Sequence, residues 1–131
     1  MQRNNSGFTL VEIMIVVLII ALLAGIAIPG LLRSRVNAHD AAAQAALKAI
    51  ATAMETYLST NSVYPSTTTA LAGASPPYLQ VDYFNGNTYS GFTFTLDLLS
   101  SAQYSVTAAP LSANLGSASF TITTGAVLVK N

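Results

Sequence analysis

The sequence predicts an α+β fold in which one long N-terminal α-helix packs against a small antiparallel sheet of three or four strands. The first half of that helix is apolar enough to span a membrane, and the second half is amphipathic. Three observations carry this expectation. Residues 13–32 hold no charged or polar side chain, residues 34–60 repeat apolar side chains at helical spacing without Gly or Pro, and later residues alternate apolar and hydroxyl side chains with a period of two.

Composition narrows the function classes before any motif is read. The chain of 131 residues is 52% hydrophobic and 8% charged, with five basic and five acidic residues, whereas an ordinary soluble domain carries about 25% charge. The five cations never cluster, so no specific nucleic-acid partner is evident. With no Cys and one His, the sequence excludes disulfides, thiolate metal sites, Cys nucleophiles and His-based metal clusters.

The elements follow in chain order. Residues 1–7 are polar apart from Met1 and carry one charge, Arg3. Residues 8–33 form the apolar half of the helix; twenty residues at about 1.5 Å each reach roughly 30 Å, the thickness of a bilayer hydrocarbon core. Arg33 and Arg35 lie at the other end of the span from Arg3, so flanking basic residues do not orient it. Pro29, between Gly25 and Gly30, cannot donate to the Gly25 carbonyl, which marks this stretch for a kink or a turn that can melt.

Residues 34–61 form the amphipathic half. Nine of the sixteen residues from 38 to 53 are Ala, the best helix former. Val36, Ala43, Leu47, Ile50, Met54 and Tyr57 or Leu58 mark the face that wants a cover, with Arg35, Gln44, Lys48 and Glu55 assigned elsewhere and His39-Asp40 assigned to the polar side. Residues 62–131 differ: twenty of the seventy are Ser or Thr, and only Asp82, Asp97 and Lys130 are charged. After Tyr64-Pro65 comes a loop with a helical turn at residues 70–72, then strands over 89–96, 104–108, 120–122 and 126–130. Their apolar face should lie on the amphipathic helix.

Catalytic candidates are few. Asp82 and Asp97 are a conceivable carboxylate pair with no fixed separation, and His39 and Asp40 are adjacent, so they do not share a helix face. No base activates a Ser, the glycines lack phosphate-loop spacing, and a calcium site on Asp82, Asn85 and Asn87 would have a single carboxylate. No cofactor is expected. Glu12 stands apart, because an acid in an apolar helix is costly and marks a functional site.

Gly7-Phe8-Thr9-Leu10-Val11-Glu12-Ile13, followed by the apolar run, Pro29 and Arg33, resembles the class III signal region of type IV pilins and type II secretion pseudopilins. The likeness covers residues 1 to about 60. It implies the type IV pilin fold, a leader of residues 1–7 removed by a prepilin peptidase between Gly7 and Phe8, and methylation of the new Phe8 amine. It also implies that Glu12 neutralises a Phe8 amine in the assembling bundle, with Pro29 at the position of the family's helix proline.

The partners it implies are identical subunits in a helical homopolymer, the peptidase, an assembly platform with a cytoplasmic ATPase, and the lipid bilayer before assembly. The expected location is the bacterial inner membrane, as a single-pass precursor with its C-terminal part outside the cytoplasm, and then an extracellular fibre. The expected role is major pilin, a structural subunit and not an enzyme. Minor pilin, type II secretion pseudopilin and membrane-anchored adhesin are the alternatives. The chain lacks the Cys pair of many type IV pilins and the clustered C-terminal acids of many major pseudopilins.

Overall fold

A computed structural model describes residues 7–131; the part of the expected leader before Gly7 lies outside the described residues. The chain divides into two compact units, Met1–Ser34 and Arg35–Asn131. One helix, α1 (Leu10–Asn61, 52 residues), contributes to both and contains Pro29. Its backbone stays helical on both sides of the proline, because Pro29 removes a single hydrogen bond while its neighbours keep theirs.

In the first unit, every large apolar side chain from Phe8 to Leu32 is exposed, from 51% at Ile13 to 85% at Phe8. This stretch is long and apolar enough to cross a membrane. An apolar surface on all sides has no aqueous solution other than a lipid or protein cover.

The second unit has its own core. α1 residues from Arg35 onward are followed by α2 (Thr69–Ala72) and five strands: β1 (Thr88–Tyr89), β2 (Phe92–Leu99), β3 (Tyr104–Pro110), β4 (Phe120–Thr123) and β5 (Val127–Lys130). The strands form one antiparallel sheet in the order β1-β2-β3-β4-β5. The sheet therefore has five strands, not the expected three or four. Residues 89–96, read as one strand, are split by a turn at Ser90-Gly91, where both residues have positive φ (51° and 79°) and Tyr89 pairs back with Phe92. Two left-handed residues in succession suit the twist of a tight hairpin, and Gly takes this conformation without strain.

Period-two patterning sets the inner face: Tyr104, Val106 and Ala108 of β3 and Phe120 and Ile122 of β4 are buried. They meet Ala43, Leu47, Ile50 and Met54 of α1, each fully buried, in one cluster with Phe92, Phe94, Leu71 and Tyr64. The outer face is hydroxylated; the Thr107 hydroxyl donates to Asp97 at 2.5 Å and bonds Thr121 at 3.0 Å. Gly116 sits where a Cβ would come within 2.4 Å of the Phe92 ring, so only glycine lets the β3–β4 connection close over that ring.

Candidate functional site

The candidate site is the start of α1, built by residue spacing alone. Thr9 precedes the first helical residue, and Glu12 stands three positions later. The Thr9 backbone N–H donates to Glu12 Oε2 at 2.9 Å and the Thr9 hydroxyl to the same oxygen at 2.8 Å, while the Glu12 N–H donates to Thr9 Oγ1 at 3.3 Å. This is a capping box, in which a hydroxyl and a carboxylate reciprocally satisfy backbone donors that the first helical turn leaves unpaired.

The negative charge also sits at the positive end of the helix dipole. An acid in an apolar helix is thus given local partners in its own chain, and among the described residues Glu12 Oε1 accepts no hydrogen bond, which leaves it open to a cation. Thr9 is absent from the sequence candidates, although Thr-x-x-Glu ahead of an apolar run is the spacing that marks it.

The other sequence candidates lie apart. Gly7 and Phe8 are exposed and outside the helix, two and one residues before Thr9, and Pro29 is inside α1. Asp82 accepts from the Phe84 N–H at 2.9 Å and from the Asn85 amide, a local turn with no second acid, while Asp97 bonds Thr107 across the sheet. No group of three or more His, Cys, Asp or Glu that could hold a metal ion occurs among the described residues.

His39 and Asp40 do not occupy a solvated polar side, contrary to expectation. Asp40 is 7% exposed and accepts from Ser117 N–H at 3.0 Å and Ser117 Oγ at 2.5 Å. His39 Nδ1 shares a 2.9 Å hydrogen bond with Ser90 Oγ.

Glu55, expected away from the covered face, instead joins four segments. Its Oε1 accepts from Tyr64 Oη at 3.0 Å, Tyr104 Oη at 3.4 Å and the Gly125 N–H at 3.1 Å. The two tyrosine rings meet edge to face at 5.1 Å. Burial, then the Glu55 hydrogen bond and charge, push the Tyr64 phenol up to about 12. Burial and Glu55 push Tyr104 higher still. Both stay neutral donors to Glu55 at physiological pH. Asp40 and Glu55 thereby fasten the β3–β4 connection and the β4–β5 turn to α1, and His39 fastens the β1–β2 turn.

Comparison with known proteins bears on the same end of the chain. Residues 2–28 match the family described as the prokaryotic N-terminal methylation motif. The chain is 42% identical over 66 residues to type II secretion system core protein G of Pseudomonas aeruginosa, covering 50% of this chain and 46% of that protein. It is 44% identical over 70 residues to the type IV wide pilus major component PilA4 of Thermus thermophilus, covering 53% of each. It is 43% identical over 61 residues to the type IV major pilin protein PilA of Myxococcus xanthus, covering 47% of this chain and 28% of that protein. The chain thus spans about half the length of these relatives, or less.

Proposed function

We propose that the chain is a member of the type IV pilin and type II secretion pseudopilin family, which its matches over about half its length support, and that it is the repeating structural subunit of a helical fibre. The observation that carries the reading is the capped, acid-bearing start of an exposed apolar stretch of helix within the residues, 2–28, that match the methylation motif. The apolar half of α1 and the methylation motif support a membrane-anchored precursor.

In this reading residues 1–7 are removed between Gly7 and Phe8, Phe8 is methylated, and residues 8–33 rest in the inner membrane with residues 34–131 outside the cytoplasm. An assembly platform driven by a cytoplasmic ATPase moves the apolar helix from lipid into a bundle of copies. Lipid is as apolar as that bundle, so packing and charge pairing must drive the exchange. Glu12 Oε1 supplies the charge for a Phe8 ammonium. The pair is a registry device, because a subunit at the wrong height leaves both charges unpaired. Pro29 marks where helix is lost most readily once protein replaces lipid around it.

Between the two fibre kinds, the relatives favour a type II secretion pseudopilin: more of them carry that name than a pilus name. Major pilin, the first expectation from the sequence, is the second reading. It is supported by the Thermus relative, matched over 70 residues, and by a C-terminal region with only Asp82 and Asp97 as acids.

Deleting the chain separates the readings. Loss of secreted protein with surface fibres intact is the pseudopilin result, and loss of surface fibres is the pilin result. Intact mass of the subunit in membranes or sheared fibres should give a chain starting at Phe8 with one added methyl group. A chain that retains Met1, or normal fibres and secretion without it, overturns the structural reading.

A further inference from the structure

We propose that the second unit carries a carbohydrate-binding groove beside the C-terminal end of α1, with Tyr78 at its centre and a neutral disaccharide as its ligand. Tyr57 and Asn61, one helical turn apart on α1, line a cavity of about 470 Å³ together with Thr67, Thr69 and Tyr78. A second cavity of about 330 Å³ shares Tyr78 and is lined also by Thr52, Thr56 and Gln80. Both volumes lie within the range of small-molecule sites, about 300–1,000 Å³. Asn61, Thr67, Thr69 and Gln80 are exposed, so the groove opens to solvent along its rim.

The groove is held in shape by backbone and packing. The Leu71 carbonyl accepts from the Tyr78 N–H at 2.9 Å and from the Leu79 N–H at 3.1 Å, and Leu71 itself is fully buried. The Tyr57 and Tyr78 rings meet with centroids 5.3 Å apart and 61° between their planes. Tyr78 is thereby fixed against the helix, and little ordering is left to oppose a ligand.

The lining selects the ligand. No residue around either cavity is charged, so neither offers a counter-charge to a phosphate, a carboxylate or an ammonium group. Among the described residues the Tyr57 and Tyr78 phenols have no hydrogen-bond partner, whereas those of Tyr64 and Tyr104 donate to Glu55. The Asn61 amide nitrogen donates to the Tyr57 carbonyl at 3.1 Å, which leaves Asn61 Oδ1 as an acceptor. Thr67 and Thr69 share one hydrogen bond at 2.9 Å, so one of their two hydroxyl protons is still free to donate. A purely apolar ligand would strip these groups of water and return no hydrogen bond. A pyranose carries hydroxyls that both donate and accept around its edge, and a face of C–H bonds that suits the negative face of a tyrosine ring. Two cavities that meet at one ring fit two linked sugar residues.

The test is an NMR titration of the isotope-labelled full chain in a detergent without a sugar headgroup. The probes are millimolar cellobiose, lactose and N,N′-diacetylchitobiose, with digalacturonic acid as the charged control. At least one neutral disaccharide should shift the amide signals of Ala70, Gly73 and Tyr78 saturably, and the charged control should not. Tyr78→Ala should weaken binding about tenfold or more, the scale of an aromatic anchor. Asn61→Ala should weaken it about two- to tenfold, the loss of one neutral hydrogen bond, with a urea midpoint close to wild type because Asn61 is exposed. That second variant keeps the test decisive if Tyr78→Ala disturbs the fold, since Tyr78 packs against the core.

No saturable shift with any of the three neutral sugars overturns the proposal. Shifts confined to residues away from the groove, or wild-type affinity in Asn61→Ala, do so too. Equal binding of digalacturonic acid overturns the neutral ligand. Groove signals that move with the concentration of the chain itself, without sugar, assign the groove to a second copy and overturn the proposal as well.

Discussion

Residues 8–34 and residues 35–131 solve the burial problem in opposite ways. The first stretch exposes all of its large apolar side chains, and the second buries Leu47, Ile50, Met54, Phe92, Tyr104 and Ile122 completely or nearly so. Acids are treated differently as well. Glu12 is held by a residue three positions away, whereas Asp40 and Glu55 are held by Ser117, Tyr64, Tyr104 and Gly125, up to 77 residues distant. One region is organised by its local sequence and completed by its surroundings; the other is completed by its own chain.

Glu12→Leu should break this contrast most severely. Insertion should be at least as good as wild type because a polar cost is removed. Assembly should collapse, since in the proposed bundle an unpaired Phe8 ammonium would cost about 3–5 kcal/mol. Wild-type amounts of assembled subunit, measured by shearing and blotting or by crosslinking in membranes, would show that charge pairing does not recruit the subunit.

Core truncation sharpens the difference in folding. Leu47→Ala or Ile50→Ala should lower the stability of the second unit by about 2–5 kcal/mol, measured as urea midpoints in detergent. Leu22→Ala, in the exposed helix, should move that midpoint by less than about 0.5 kcal/mol equivalent. Similar losses from both would mean that the two regions share a core.

The polar ties come next in size. Glu55→Ala leaves two phenols and the Gly125 N–H without their acceptor and should cost about 1–3 kcal/mol. Amide exchange should quicken at Gly125 while β2–β3 amides stay protected. Unchanged exchange at Gly125 would show that the β4–β5 turn is held by its strands alone.

Alkaline pH gives the smallest and most gradual effect. Tyr64 has its pKa raised to about 12 in the folded chain, and Tyr104 is also raised, while an unfolded tyrosine titrates near 10. The folded state therefore holds these protons more tightly. Their contribution is fully present below about pH 10 and is lost as pH rises through the folded values. Urea midpoints should be flat up to about pH 10 and fall above it, and Tyr64→Phe should make that fall shallower. An unaltered slope would remove Tyr64 from the account.

Residue order alone made a large part of this molecule legible. The apolar run, the covered face of the amphipathic helix, the turn at residues 70–72 and the inward residues Phe92, Phe94, Tyr104, Val106, Phe120 and Ile122 follow from periods of 3.6 and 2, which local backbone geometry imposes. The Thr9–Glu12 cap was equally local and readable from its spacing. The Ser90-Gly91 turn also left a signal: apolar residues fall at 89, 92, 94 and 96, so the alternation breaks there, at a Ser-Gly dipeptide of the turn-forming kind.

Tertiary structure alone decided which groups the polar residues of α1 bond. On a helical wheel Asp40, three residues before Ala43 and seven before Leu47, already shares the covered face, with His39 at its edge and Glu55 beyond it; residue type, not position, makes them look like solvent residues. Their partners lie 51, 77, and between 9 and 70 residues away, in loops whose position exists only once the sheet has formed. A hydrogen bond within one helical turn is fixed by spacing. A bond between a helix and a distant loop is fixed by packing, and no local pattern encodes it.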